Sequence, residues 1–256
     1  MKMIDSHIHL DQYSDREIEL IVKESHDIEA LLSVSTNLES CKRNLELTKI
    51  SQKIKAAFGF HPEQNLPTDE ELDELIQWMH QYCSEMIAVG EVGLPYYVKT
   101  EQKLTSFQYN QYIKLLEKFI KLAKEWEKPI VLHAVYEDAP IVCELLEKYF
   151  VTKAHFHWFK GDHKTVERLI QNRYHISVTP EIIYKEKIQK LVQSYPLELL
   201  MVETDGPWPF EGPFAGKRTH PNMLESIIRM VAEIKNKSKA EVSERILENT
   251  KIFYGI

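Results

Sequence analysis

Imidazole and carboxylate side chains recur in this sequence where short apolar runs end. In His7-x-His9 the two residues are two positions apart, so on an extended backbone both side chains lie on one face and can reach one ion. Such groups, converging from several strands, form sites for one or two divalent metal ions. The sequence therefore predicts a metal centre built from residues far apart in the chain: His7, His9, His61, Glu91, His133, His157 and Asp205.

Short apolar runs and amphipathic segments must position these residues. The runs have the composition of strands buried on both faces: Met3–Ile4, Ala30–Val34, Ile54–Phe60, Met86–Val89, Pro129–Leu132, Lys153–Phe156, Tyr174–Val178 and Leu197–Val202. Helices are predicted where apolar residues recur three and four positions apart: Asp15–Glu24, Leu38–Ser51, Asp69–Tyr82, Lys103–Glu127, Ala139–Tyr149, His163–Asn172, Pro221–Lys235 and Lys239–Glu248.

Strands that alternate with helices imply a parallel sheet with right-handed crossovers. At this length the economical arrangement is a single-domain (β/α)₈ TIM barrel over residues 1–256, with a doubly wound open sheet as the alternative. In such a barrel the functional residues lie at the carboxyl ends of the strands. Within the sixth run, we expect His155 to face away from His157 and to pack against other residues.

Net charge, apolar segments and cysteine content narrow the classes of protein to which this chain could belong. The 256 residues carry 32 Lys+Arg and 39 Asp+Glu, a formal net charge of −7, which argues against gripping nucleic acid by net charge alone. No segment reads as a membrane span or a signal peptide. Three widely spaced cysteines fit a reducing compartment. We therefore expect a cytoplasmic protein without a membrane partner or an obligate protein partner.

The motifs resemble those of the TatD family of metal-dependent hydrolases, often called TatD-type deoxyribonucleases, within the amidohydrolase-like barrels. Many binuclear amidohydrolases have a carboxylated Lys at the end of strand four, whereas this chain has Glu91, as the TatD family does. The resemblance runs along nearly the whole chain: IDSHIHL at 4–10, GFHPE at 59–63, GEVGLPYY at 90–97, PIVLH at 129–133, HWFKG at 157–161, VETDGPW at 202–208 and NT at 249–250.

The resemblance implies a role for each strand-end residue. His7, His9 and Asp205 would hold one divalent ion. His133 and His157 would hold the second, and Glu91 would bridge the two as a catalytic ligand. Asp205 would also act as the general base that takes a proton from a metal-activated water. The ions could be Mg, Mn, Zn, Ni or Fe.

The implied reaction is hydrolysis of phosphodiester bonds, with DNA or an oligonucleotide as substrate. One alternative is an amide or lactone hydrolase, or a deaminase, that acts on small molecules with the same binuclear site. Another is a non-catalytic binder on a decayed barrel, against which the complete set of ligands speaks. The two ions with Glu91 and Asp205 would leave the site with about two positive charges inside an acidic protein. The acid excess predicts weak non-specific DNA binding, so we expect a substrate held at its end by the metal ions and not along its length.

Departures from the family pattern concern the substrate rim. Pro95 replaces an Asp, Val135 replaces an Arg, Lys160 replaces a Ser, and Thr219-His220 replaces the Asn-Glu of the family's Arg-Asn-Glu-Pro stretch. We hypothesise that the side chains of Lys160 and Arg218 supply the phosphate-facing charge that the missing Arg would have given. The predicted substrate-binding and orienting residues are His61, Lys160, Glu203 and Arg218. The aromatic segment that begins at Trp208 is either a rigid loop that packs on the barrel or a platform on which a base stacks.

Overall fold

The computed structural model describes residues 1–256. Its eight strands are parallel, and each pairs with the next in chain order, so that they form a nearly closed barrel in a single domain. The TIM-barrel prediction is thus confirmed and the open sheet is excluded. The strands are β1 (Met3–Ile8), β2 (Ile28–Val34), β3 (Ile54–Phe58), β4 (Met86–Gly93), β5 (Ile130–His133), β6 (Ala154–Phe156), β7 (His175–Val178) and β8 (Leu200–Val202).

Helices surround the barrel and bury their apolar stripes against it. Several begin at side-chain caps, as at Ser14 and Thr68, where the hydroxyl accepts from a backbone N–H and a Glu side chain accepts in return. The helices are α1 (Asp15–Glu24), α2 (Leu38–Ile50), α3 (Asp69–Gln81), α4 (Tyr96–Gln102), α5 (Ser106–Glu125), α6 (Asp138–Lys148), α7 (His163–Gln171), α8 (Glu186–Ser194), α9 (Leu224–Lys235) and α10 (Lys239–Tyr254).

Two helices were not predicted, and one is longer than expected. The single long helix expected over Lys103–Glu127 is α5 alone, and α4 precedes it, separated by Lys103 in a left-handed conformation (φ 52°). The short α8 has only two fully buried residues, Ile188 and Val192, so its apolar pattern is brief. Helix α10 continues to Tyr254, six residues beyond its predicted end.

The barrel closes through side chains where β1 meets the segment after β8. Asp5 replaces a regular strand ladder here: its Oδ1 accepts from the backbone N–H of Thr204 at 2.9 Å and its Oδ2 from the Thr204 hydroxyl at 2.5 Å. The backbone N–H of Asp205 donates to the carbonyl of His7 at 3.0 Å. This closure fixes the backbone of Asp205 beside that of His7.

The amino-terminal end of the barrel is filled by a small apolar cluster that includes Phe253 and Tyr254 of α10. His155 lies in the interior as well, and both of its ring nitrogens make hydrogen bonds. The expectation that His155 faces away from His157 was therefore wrong, because residues two apart on a strand share a face, whereas the expectation that it packs against other residues agrees with its complete burial. Burial lowers the pKa of His155 well below its usual value, so its imidazole is neutral.

No helix in the structure combines the length and the apolar character that a membrane span requires. The three cysteines are free thiols; Cys41 and Cys143 are buried in the core, and Cys83 is half-buried.

Candidate metal centre

All six predicted ligands are buried and converge at the carboxyl ends of the strands. Two of them lie at irregularities of the sheet: the β1–β2 register shifts between Asp5 and Ile8, and the β4–β5 register shifts between Val89 and Val92. Bulges of this kind turn a side chain toward a site at the rim of a barrel. The ligands themselves are His7 and His9 from β1 and its end, Glu91 from β4, His133 from β5, His157 after β6 and Asp205 after β8.

One group of donor atoms surrounds Oε2 of Glu91. Nε2 of His7 lies 3.2 Å from this oxygen and 3.3 Å from Oδ1 of Asp205. Nε2 of His9 lies 3.4 Å from each of the same two oxygens. Two imidazole nitrogens and two carboxylate oxygens therefore face one point.

A second group surrounds the other oxygen of the same carboxylate. Oε1 of Glu91 lies 2.7 Å from Nε2 of His157 and 3.0 Å from Nδ1 of His133. Nε2 of His61 also approaches it, at 3.2 Å. The sequence predicted that His61 binds or orients the substrate, whereas the structure brings its ring into contact with Glu91, where it could provide a third imidazole nitrogen.

The donor set fits divalent cations. Nε2 of His7, Oε2 of Glu91 and Oδ1 of Asp205 are buried and have no hydrogen-bond partner, although the nitrogen lies 3.2 Å and 3.3 Å from the two oxygens. Buried polar atoms in proteins normally have partners, so several such atoms that converge on one point without hydrogen bonds are suited to bind an ion there. Mixed imidazole and carboxylate donors suit Zn, Mn, Fe or Ni.

The electrostatics of the group favour positive charge. Burial alone would raise the pKa of Glu91, but the imidazoles of His157, His61 and His7 lower it well below its usual value. Burial would lower the pKa of His9, yet its contacts with Asp205 and Glu91 raise it to about 10. Without an ion, protons on the imidazoles would therefore supply the positive charge that these carboxylates attract. A bound cation would displace those protons.

Glu203 lies beneath the centre and not on its substrate side. A carboxylate oxygen of Glu203 and one imidazole nitrogen each of His157 and His7 lie within 4.8 Å of one another. However, Oε1 of Glu203 accepts from the backbone N–H of Trp158 at 2.8 Å, and its Oε2 accepts from Ser177. Because both oxygens are already engaged, an orienting role suits Glu203 better than ligation.

The two predicted cations have different positions. Lys160 lines the cavity, pairs with Glu181 at 3.2 Å and lies 4.3 Å from the centre of the Trp158 ring. Arg218 is not among the residues that line the cavity. It pairs with Glu17 of α1 at 2.9 Å and lies over the ring of Tyr13, so the structure does not bring it to the site.

Sequence reasoning assigned no role to Glu63. One of its oxygens lies 3.1 Å from Nε2 of His133, and its carboxylate accepts from the backbone N–H groups of Tyr97 and Val98 at 2.9 and 2.7 Å. It therefore holds the ring of His133 with Nδ1 toward Glu91 and ties the first turn of α4 to the site. Its place two residues after His61, just past β3, was the signal available in the sequence.

The cavity above the centre has a volume of about 620 Å³. Aromatic side chains form part of its wall, among them Tyr97, Trp158 and Trp208, and Trp208 is 58% exposed. Three carboxylates that the sequence did not place here line it too: Glu63, Glu101 and Glu181. With Lys160 as the single lysine in the lining, these residues cancel the two positive charges expected for a site loaded with two divalent ions.

Comparison with known proteins gives consistent results along the whole chain. A family described as TatD related DNase matches residues 4–255. A protein of Haemophilus influenzae, named an uncharacterized metal-dependent hydrolase, is 43% identical over 255 residues, which cover 99% of this chain and 100% of the relative. The similarly named YjjV of Escherichia coli is 28% identical over 262 residues, covering 100% of this chain and 98% of the relative.

Solved structures agree with these matches. The crystal structure of YjjV, described as a TatD homolog from Escherichia coli, superposes with a TM-score of 0.88 at 25% identity over 99% of this chain and 98% of that one. A TatD family hydrolase from Entamoeba histolytica has the same fold, with a TM-score of 0.85 at 18% identity over 99% and 98% of the two chains.

Proposed function

The chain belongs to the TatD related DNase family and is a metal-dependent hydrolase, and from that premise we propose that it cleaves phosphodiester bonds of DNA. The observation that carries the proposal is the division of the Glu91 carboxylate. Its Oε2 faces the group formed with His7 and His9, and its Oε1 faces His133 and His157. A carboxylate shared in this way is suited to bridge two ions, as two-metal phosphodiesterases require.

Two ions bound here would lower the pKa of a water molecule and stabilise the charge that develops on the phosphate oxygens. The protein's own contribution begins with Asp205. It lines the cavity, and its backbone is fixed beside that of His7. Burial raises its pKa, but contacts with His7 and His9 keep the pKa below its ordinary value, so the carboxylate is ionised. In this role Asp205 accepts the proton of the attacking water on a carboxylate oxygen.

The rim supports a short substrate. Lys160 provides one positive charge, and the aromatic wall with Trp208 offers a surface on which a base could stack. With two ions bound, the charges that line the cavity would sum to about zero, and the protein as a whole has a net charge of −7. Neither the cavity nor the net charge therefore favours binding along a long polyanion. We therefore propose that the enzyme acts on DNA ends or short oligonucleotides, and that it binds long DNA weakly.

A second candidate is a C–N or C–O hydrolase on a small molecule. The observation that favours it is the same set of rim carboxylates, Glu63, Glu101 and Glu181, together with Val135 in place of the family's arginine. These residues leave a cavity that is less specialised for phosphate than the family pattern implies.

The test is a substrate panel with the metal-loaded enzyme: single-stranded DNA, double-stranded DNA, bis-p-nitrophenyl phosphate, and a set of amides and lactones. We expect turnover of the phosphodiesters and faster cleavage of short oligonucleotides than of long duplexes at equal concentration of ends. Turnover of amides or lactones with no cleavage of any phosphodiester would replace this proposal with the second candidate.

Lys160 gives a prediction about substrate binding. Lys160→Ala should raise KM for bis-p-nitrophenyl phosphate by about 10-fold, because a charged hydrogen bond contributes on the order of 1.5 kcal/mol. The exposed Lys164→Ala on α7 is the matched control and should leave KM unchanged. Arg218→Ala should also leave KM unchanged, since Arg218 pairs with Glu17. An increase for Arg218→Ala and none for Lys160→Ala would reverse this assignment of the rim.

A further inference from the structure

Four buried polar side chains form a continuous chain through the barrel interior, from its amino-terminal end to the metal centre. The hydroxyl of Tyr254 lies 2.7 Å from Nδ1 of His155, and Nε2 of His155 lies 2.7 Å from Oγ of Ser177. Oγ of Ser177 donates in turn to Oε2 of Glu203. All four are buried. We call them the interior relay: Tyr254, His155, Ser177 and Glu203.

Hydrogen-bond accounting gives the relay a direction. An ionised carboxylate can only accept, so the hydroxyl hydrogen of Ser177 points to Glu203. Oγ of Ser177 must then accept from His155, which places the ring hydrogen on Nε2. The neutral imidazole has Nδ1 left as an acceptor, and the Tyr254 hydroxyl donates to it. Every donor in the relay therefore points toward the metal centre.

The relay ends at a candidate metal ligand. Oε1 of Glu203 accepts from the backbone N–H of Trp158 at 2.8 Å. The same oxygen lies 3.5 Å from the buried Nδ1 of His157, a charge contact and not a hydrogen bond, and it is the carboxylate oxygen that faces this nitrogen. A carboxylate there favours the tautomer with hydrogen on Nδ1, which leaves the lone pair of Nε2 free. That Nε2 is the atom that lies 2.7 Å from Glu91. We propose that the interior relay fixes the position of Glu203 and, through it, holds His157 in the orientation and tautomer that present Nε2 to a metal ion.

Tyr254 and His155 are thus positioning residues, 99 positions apart in the chain. A purely space-filling role makes a different prediction. In the apolar cluster at this end of the barrel, phenylalanine in place of Tyr254 would keep the packing and lose only a hydroxyl. If the hydroxyl served packing alone, its removal would leave the affinity for metal unchanged.

The test measures metal binding to the apo-protein and needs no substrate. We would titrate wild type, Tyr254→Phe and Ser177→Ala with Co²⁺, and follow the affinity by calorimetry and the ligand geometry by the visible spectrum. Loss of an outer partner of a ligating His typically costs about 10–100-fold in metal affinity. We expect about 10-fold weaker binding for Ser177→Ala, a smaller loss of about threefold for Tyr254→Phe, and an altered spectrum for both.

Tyr195→Phe is the matched control. Its hydroxyl is also buried and donates to the carbonyl of Tyr174 at 2.7 Å, but it has no connection to the relay. We expect Tyr195→Phe to bind Co²⁺ as wild type does. Wild-type affinity and spectrum in both relay variants would overturn the proposal, and so would an equal loss in Tyr195→Phe. The inference rests on the metal site of the proposed function. Because this test measures metal binding, the role of the interior relay can be disproved while DNA cleavage is confirmed, and the relay can be confirmed while DNA cleavage is disproved.

Discussion

Asp205→Asn should lower kcat/KM for a phosphodiester by about 100-fold to 10,000-fold, the usual contribution of a positioned general base. The amide keeps the size of the side chain but cannot take the proton of the attacking water. Oδ1 of Asp205 also faces His7 and His9, so affinity for the ion on that side should fall as well. Steady-state kinetics at saturating metal separates the catalytic effect from the loss of metal.

Asp162→Asn is the control for this exchange. Asp162 is an exposed cap at the start of α7, where Asn caps a helix about as well as Asp. Its activity should equal that of wild type. Full activity of Asp205→Asn at saturating metal would remove Asp205 from the role of base and leave the two-ion site to be explained with another proton acceptor.

Glu91→Gln should have the second large effect, on both metal content and rate. Only a carboxylate offers two equivalent anionic oxygens, and each oxygen of Glu91 faces a different group of imidazoles. Gln in its place should leave at most one tightly bound ion per chain. The rate should fall by more than the roughly 10–100-fold that outer partners of a ligand contribute.

The measurement is elemental analysis of the dialysed protein together with kcat on bis-p-nitrophenyl phosphate. Glu101→Gln provides the matched control, because Glu101 lines the same cavity but does not belong to either group of ligands. It should retain the metal content of wild type. A Glu91→Gln protein that keeps two tightly bound ions would show that Glu91 does not bridge.

Much of the fold was predictable because the strands are buried on both faces and the helices carry apolar stripes. The predicted first apolar run was Met3–Ile4, with His7 and His9 following at the strand end, whereas β1 continues to Ile8, because Asp5, Ser6 and His7 are polar and interrupt the apolar pattern. Their polar groups are satisfied inside the barrel, for example by the bond from Ser6 to the carbonyl of Val202. Local composition cannot show partners that are almost 200 residues away.

The residues of the site also divide into those that the sequence predicted and those that only the structure shows. The six candidate ligands were predicted because each follows or ends an apolar run and resembles a family motif. Glu63 and Glu181 were not assigned, because their roles depend on contacts with His133 and Lys160 across loops. The placement of Arg218 on Glu17 also depends on long-range packing. A cation in the right segment of the sequence is therefore weak evidence for a cation in the site.

The proposed function requires a two-ion site in which both ions take part in phosphodiester hydrolysis. The most direct test is a titration of the apo-protein with Mn²⁺ while the hydrolysis of bis-p-nitrophenyl phosphate is followed at a protein concentration well above the dissociation constants. Activity should rise until two equivalents of Mn²⁺ per chain have been added and then stay level. Full activity at one equivalent, or no phosphodiester hydrolysis at any ratio, would contradict it.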